Sequence, residues 1–242
     1  MAQSIFKRYE KKYLMDRDKY YIFKSLINDK VVPDMYSNYT ISNIYYDTDN
    51  YDLIRSSIEK PPYKEKLRMR SYGLSDKDDK VFLELKKKYS GIVYKRREIL
   101  PYKNALELIN GKQYIESNQI LNEIKFFLDQ NKVSGKVFLG YDREAFSGRV
   151  DDELRITFDT NIRFRENHLS FLSGTWGKPL LDDDTVLMEI KVPGVFPMWL
   201  SSILSELEIF PVSFSKYGTC YKNHIVRKMK VTNIYTEVPT SA

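Results

Sequence analysis

The sequence predicts an α+β protein organised around antiparallel β-strands, and three features predict it. Eight stretches alternate with period two, at residues 6–14, 41–48, 64–72, 80–89, 92–100, 136–146, 153–159 and 185–192. Five stretches carry helical periodicity, at 16–29, 103–110, 115–130, 196–208 and 216–229. Turn residues in "SYGLSDKDDK" and "KKYSGIVY" separate neighbouring strands closely enough for 64–100 to read as an antiparallel meander.

Taken in chain order, the strands share an unusual pattern. In "RYEKKY", Arg8, Glu10 and Lys12 fall on one face. The helical stretch "DRDKYYIFKSLIND" follows it. In "KLRMRSYG", Lys66, Arg68 and Arg70 alternate with Leu67 and Met69; in "FLELKKKY", Glu84, Lys86 and Lys88 oppose Leu83, Leu85 and Lys87. Gly111 is a helix stop after 103–110. "YDREAF" groups Tyr141, Arg143 and Ala145, and "LRITFD" sets Arg155, Thr157 and Asp159 against Leu154, Ile156 and Phe158. "LMEIKV" sets Glu189 and Lys191 against Met188, Ile190 and Val192, and the last residues, "TEVPTSA", read as a frayed tail.

The composition, 242 residues with 42% hydrophobic, suits one domain over residues 1–242. The net charge of +6 points to an anionic partner, but 33 acidic residues offset most of the 39 basic ones, so the distribution of charge decides more than its total. A lone Cys220 excludes an intrachain disulfide framework, and His168 and His224 are too few and too distant for a zinc site. No signal-peptide core and no run of eighteen apolar residues is present, so a soluble, cytoplasmic chain is expected.

Two arrangements accommodate the charged faces. One is an open antiparallel sheet with a solvated face. The other is a closed barrel with helices packed outside and the charges in its lumen, where an anion or water must compensate them. Such a lumen suits a linear polyanion: Arg forks take phosphate oxygens in pairs, and Lys adds point charges. Its charges, being wet, would add little to stability. A carboxylate among them would repel phosphate unless it held a bridging divalent metal, which makes Glu189 the first metal candidate and Glu10 and Glu84 weaker ones. No glycine-rich phosphate loop is present.

The segments "RYEKKY", "YYDTDNYDLI", "KLRMRSYG", "FLELKKK", "YDREAF", "LRITFDT", "LMEIKVPG" and "FSKYGT", in that order, resemble the catalytic domain of the vacuolar transporter chaperone (VTC) family, polyphosphate polymerases among the triphosphate tunnel metalloenzymes. The resemblance implies a closed eight-stranded antiparallel β-tunnel, a divalent metal (Mn²⁺ or Mg²⁺), and transfer of the γ-phosphate of ATP to inorganic polyphosphate. It also implies roles. Lys12, Arg68, Arg70, Arg143 and Arg155 would act on the reacting triphosphate. Lys86, Lys95, Tyr141, Lys191, Ser215 and Lys216 would bind phosphate along the chain, and Glu189 would hold the metal, with Glu10 kept from the alternation as a second candidate. Arg55 aligns beside this set.

Eukaryotic members carry a phosphate-sensing domain before the tunnel and membrane helices after it. Neither is read here, so regulation by inositol phosphates and export across a membrane do not follow from the resemblance; a membrane-protein partner for export is one partner the family suggests. Hydrolases of the wider group begin with "ExExK", where this chain has Arg8, Glu10 and Lys12, which favours a polymerase. The alternatives are a metal-dependent triphosphatase of the same fold and a noncatalytic polyphosphate-binding subunit. Nucleic acid is not expected, because the cations alternate on strands instead of forming an exposed stripe.

Overall fold

A computed structural model describes residues 9–73, 76–90, 92–112 and 118–228; Arg8 lies outside them. The elements run β1 (Tyr9–Asp16), α1 (Arg17–Leu26), β2 (Val31–Asp47), α2 (Asp52–Glu59), β3 (Tyr63–Ser71), β4 (Lys80–Tyr89), β5 (Ile92–Pro101), α3 (Tyr102–Ile109) and α4 (Gln119–Gln130). There follow β6 (Ser134–Gly148), β7 (Arg155–Arg165), a 3₁₀ turn (Phe171–Ser173), β8 (Lys178–Pro179), β9 (Thr185–Val192), α5 (Met198–Glu206), α6 (Lys216–Cys220) and a π turn (Tyr221–Ile225). No helix among the described residues is long and apolar enough to cross a membrane.

The antiparallel α+β class holds, and two details of the expected barrel are corrected. The sheet has nine strands in the order β1-β9-β7-β6-β2-β3-β4-β5, with β8 paired to β7, and among the described residues it ends on β1 and β5 without closing. The unexpected strand, β8, is two residues long, too short to show any period. Closure depends on whether the two end strands pair, which local alternation does not encode. The sequence pattern also misses the first ten residues of β2, where Pro33 and exposed Met35 and Tyr36 interrupt the alternation, and the short helix α2.

The chain forms two compact units. Unit one comprises Met1–Ile41, Tyr141–Ile162 and Leu181–Phe214. Its core joins Tyr13 and Met15 of β1, Ile156 and Phe158 of β7, and Val186, Met188 and Ile190 of β9 to Tyr20 and Phe23 of α1 and Leu200 and Leu204 of α5. Phe158 anchors it: the Tyr20 ring meets its edge at 5.0 Å, and Phe23 and Phe146 lie at 6.1 and 6.0 Å. Asp16 caps α1 by accepting from the Lys19 N–H at 2.7 Å.

Unit two comprises Ser42–Gly140, Arg163–Leu180 and Ser215–Ala242. Leu67 and Met69 of β3 and Val81, Leu83 and Leu85 of β4 are fully buried against Ala105 and Leu108 of α3 and Leu121, Ile124 and Phe127 of α4. Because side chains alternate, burying this face commits Lys66, Arg68, Arg70, Glu84 and Lys86 to the other. The two helices thus decide which face of the meander carries charge.

Candidate functional site

In unit one, the charged side chains form a chain of alternating sign. The β1–β9 register sets Lys12 opposite Glu189 and Glu10 opposite Lys191, and the β7–β9 register sets Arg155 opposite Lys191. Lys12 Nζ lies 3.2 Å from Glu189 Oε1 and 3.6 Å from Glu10 Oε1, while Lys191 Nζ lies 3.7 Å from Glu10 Oε2. On the far side of Glu189, Arg143 donates from Nη2 to Oε2 at 3.5 Å. Arg143 also grips the buried Asp159 through Nε at 2.5 Å and Nη2 at 2.7 Å, and its guanidinium packs 5.2 Å from the Tyr141 ring. Burial opposes the charge of Arg143, but Asp159, Tyr141 and Glu189 outweigh it and hold its pKa well above the ordinary value. Arg155 is half exposed and pairs with Asp34 of β2.

Asp159 and Asp34 receive no role from the sequence. Alternation does place Asp159 on the face of Arg155, a signal that could have marked it. Asp34 lies in the part of β2 where no alternation is visible.

In unit two, the centre is Glu84, only 1% exposed. It stands between Arg68 of β3 and Arg97 of β5 in the strand register. Its Oε2 accepts from Arg68 Nε at 2.7 Å, with Arg68 Nη2 also at 2.7 Å and Arg70 Nε at 3.9 Å. Its Oε1 receives Lys95 Nζ at 2.8 Å, Arg97 Nε at 2.7 Å and Arg97 Nη2 at 2.6 Å. Burial alone would raise the carboxyl pKa; the charges of Arg68, Arg70 and Lys95 outweigh it and hold the group far below the usual carboxylate range. Glu84 is therefore the hub of a cation cluster.

Around this hub the remaining groups are tied down. Arg70 is 7% exposed and donates to Asn43 Oδ1 and the Tyr72 hydroxyl, both at 3.1 Å. Arg68 Nη1 donates to the Tyr45 hydroxyl at 3.2 Å. The register sets Lys66 opposite Lys86 and Lys86 opposite Lys95, a row of like charges across three strands.

The α6 segment joins the same group. Lys66 Nζ donates to Ser215 Oγ at 3.4 Å, and Tyr217 stacks on Tyr45 at 4.8 Å. The Tyr217 hydroxyl donates to Asp47 Oδ2 at 3.0 Å, and Asp47 also accepts the N–H groups of Leu53 and Ile54 at the start of α2. Lys216 is buried. Arg55, on α2, is exposed and lies 3.9 Å from Asp52.

Of the residues expected from the sequence, the structure therefore brings together Lys12, Arg143, Tyr141, Glu189, Glu10 and Lys191 in unit one, with Arg155 beside them on β7. It brings together Arg68, Arg70, Lys86, Lys95 and Ser215 in unit two, with Lys216 next to Ser215. Arg97 and Glu84 were not assigned to phosphate binding by sequence. The adjacent Arg96 points to the opposite face and donates to Glu123 of α4 at 3.1 Å.

In each unit, antiparallel strands carry clustered Arg and Lys with carboxylates on one face, and helices are buried against the other. The model of the VTC domain matches residues 7–225, and the chain belongs to that family. The vacuolar transporter chaperone complex subunit 4 of Schizosaccharomyces pombe is 24% identical over 73% of this chain and 30% of its own length, so the chain spans about a third of that relative. Among solved structures, a protein of Bacillus halodurans described as a candidate adenylate cyclase superposes with a TM-score of 0.54 at 15% identity, covering 90% of this chain and 95% of the other. A similarly described protein of Vibrio parahaemolyticus gives 0.47 at 13% identity, over 90% and 98%. The first of these two shows a shared fold.

Proposed function

We propose that this chain is an ATP-polyphosphate phosphotransferase that adds the γ-phosphate of ATP to a growing inorganic polyphosphate. The observation that carries this reading is the cluster of Arg68, Arg70, Lys95 and Arg97 around the single buried Glu84. Four cations against one carboxylate leave a strong surplus of positive charge, extended by the Lys66–Lys86–Lys95 row into a surface suited to a linear polyanion. Membership of the VTC family supports it.

In the proposed reaction a terminal phosphate oxygen of the polymer attacks the γ-phosphorus, and the bond to the β,γ-bridging oxygen breaks to release ADP. Little covalent help is needed; placement and neutralisation of charge supply most of the rate. Lys12, Arg143 and Arg155 would neutralise the reacting phosphates, while Arg68, Arg70, Lys86, Lys95, Lys191, Ser215 and Lys216 would hold the polyanion. Tyr141 would keep the Arg143 guanidinium in place.

A divalent cation, Mn²⁺ or Mg²⁺, fits the donor chemistry of Glu189 and Glu10. Both carboxylates already converge on one cationic group, Lys12 Nζ. No group of three or more Asp, Glu, His or Cys forms a self-sufficient cage among the described residues. Two carboxylates completed by substrate phosphate oxygens are the usual arrangement for Mg²⁺. When bound, the ion would neutralise charge on the transferring phosphate.

Purified protein incubated with ATP and Mn²⁺ or Mg²⁺, with products resolved on a polyacrylamide gel and orthophosphate assayed in parallel, tests the reading. Expected is ADP with long polyphosphate and little orthophosphate. A polymer end that stays bound competes with water at a high effective concentration. Stoichiometric orthophosphate without polymer would make the chain a triphosphatase, and binding without turnover would make it an accessory subunit. In the cell, a membrane protein that exports the polymer is the partner this reading calls for.

Two groups of the cluster give the binding a pH dependence. Burial pushes the Lys95 ammonium down to about 8 despite the pull of Glu84. Tyr45 would be raised by burial, but Arg68, Lys66 and Arg70 outweigh this and bring it to about 8. As pH rises from about 7 to about 9, Lys95 loses a positive charge and Tyr45 gains a negative one, so affinity for metal-free polyphosphate should fall roughly tenfold or more. Calorimetric titrations across that range check it, and Lys95→Met with Tyr45→Phe should flatten the profile.

A further inference from the structure

We infer that Arg97 is an anion-binding residue of the unit-two cluster and that Glu84 is its positioning residue, holding Arg68, Lys95 and Arg97 in the geometry that receives a condensed phosphate. The inference rests on the phosphotransferase reading and adds to it two residues with defined parts.

Three consecutive cations, Lys95, Arg96 and Arg97, occupy β5, and only the alternation of the strand separates their roles. Lys95 and Arg97 face Glu84, opposite Lys86 and Glu84 in the register, whereas Arg96 faces α4 and is occupied by Glu123. Arg97 uses Nε and Nη2 on Glu84 Oε1, which leaves Nη1 outside those bonds on a side chain that is 36% exposed. Its guanidinium also lies 4.7 Å from the centre of the Phe82 ring, which supports its plane from a second direction. A fork held on one edge and open on the other is prepared for a phosphate oxygen.

Glu84 divides its two oxygens between strands. One takes Arg68 of β3; the other takes Lys95 and Arg97 of β5. One carboxylate cannot neutralise four cations, so the cluster keeps its attraction for anions while three long side chains lose their freedom in advance. Side-chain ordering that precedes binding no longer opposes it. A carboxylate so surrounded by cations is also a poor metal ligand. Its place among the weaker metal candidates gives way to this role.

The test is calorimetric titration of tripolyphosphate, without metal, into wild type and into the variants Arg97→Gln, Arg96→Gln, Glu84→Gln and Glu84→Asp. Each titration is made well below the thermal midpoint recorded for that variant. Arg97→Gln and Arg96→Gln change net charge equally, so long-range electrostatics cancel between them. Arg97→Gln should weaken binding roughly tenfold or more, while Arg96→Gln stays within about twofold of wild type. Glu84→Gln removes a negative charge from an anion site, so Coulomb attraction alone would tighten binding. Loss of positioning should instead weaken it by roughly fivefold or more.

Glu84→Asp keeps the charge but withdraws the oxygens by one methylene, and it should weaken binding as well. It decides the point if Glu84→Gln does not fold. Wild type that binds no tripolyphosphate would overturn this inference together with the phosphotransferase reading. Wild-type binding with equal affinities for Arg97→Gln and Arg96→Gln, or tightening in a Glu84 variant, would overturn this inference alone.

Discussion

Replacing Arg68 and Arg70 together by Ala is expected to lower the affinity for tripolyphosphate by on the order of a thousandfold, since each charge-assisted fork contributes about 1.5–3 kcal/mol. The sequence alone suggests that this would cost little stability, as for charges in a wet lumen. The structure changes that expectation. Glu84, 1% exposed in the wild type, would lose its Oε2 partner Arg68, and Asn43, itself buried, would lose the Arg70 donor. Lys95 and Arg97 remain on Oε1, so the carboxylate is not left alone. The cost should be about 2–3 kcal/mol, the scale for a buried charged group that loses one of its bonds. Calorimetric binding and denaturant unfolding, measured on the same preparation, separate the two effects. Undiminished binding in a folded double variant would remove these arginines from the site.

Glu189→Gln is expected to reduce metal-dependent turnover by on the order of a hundredfold or more while metal-free polyphosphate binding stays equal or tightens. The amide keeps the shape of the carboxylate and can still accept from Lys12 or Arg143. The charge that would hold a divalent ion is gone, and the surrounding face becomes one unit more positive. A titration of turnover against Mn²⁺ and Mg²⁺ is the measurement. If turnover and its metal requirement survive unchanged, Glu10, which also lies beside Lys12, is the residue that holds the ion.

Comparing the effects of the two variants separates the parts of the proposed mechanism. The unit-one chain from Asp159 through Arg143, Glu189, Lys12 and Glu10 to Lys191 alternates in sign and is close to neutral. The unit-two cluster is strongly positive. A near-neutral chain of ion pairs suits adjustment of charge at a reacting phosphate, and a cation surplus suits retention of a polymer. Variants of Lys12, Arg143 and Glu189 in the first should act mainly on kcat. Those in the second should act mainly on affinity.

Much of this was legible along the chain. The alternation in "KLRMRSYG", "FLELKKKY" and "LMEIKV" correctly separated Leu67, Met69, Leu83, Leu85, Met188 and Ile190, now fully buried, from the charged residues between them. Backbone geometry enforces that separation: successive side chains in a strand leave opposite faces, so one buried face determines the other. Helix α2 escaped although α3, of the same length, was read, and the start of β2 escaped because of residues 31–40 only Val31 is buried, which leaves no apolar face to mark the strand.

By itself, then, the sequence determined the antiparallel α+β class, the charged faces, and the family resemblance, since each is written in local spacing or in the order of short segments. Only the tertiary structure decided the partners. Which cations gather on Glu84 and which carboxylate steadies Arg143 depend on which strands lie side by side and in what register. The electrostatics follow from that pairing. The energy of a charge is set by the few ångströms around it, and for these residues those neighbours come from strands remote in sequence.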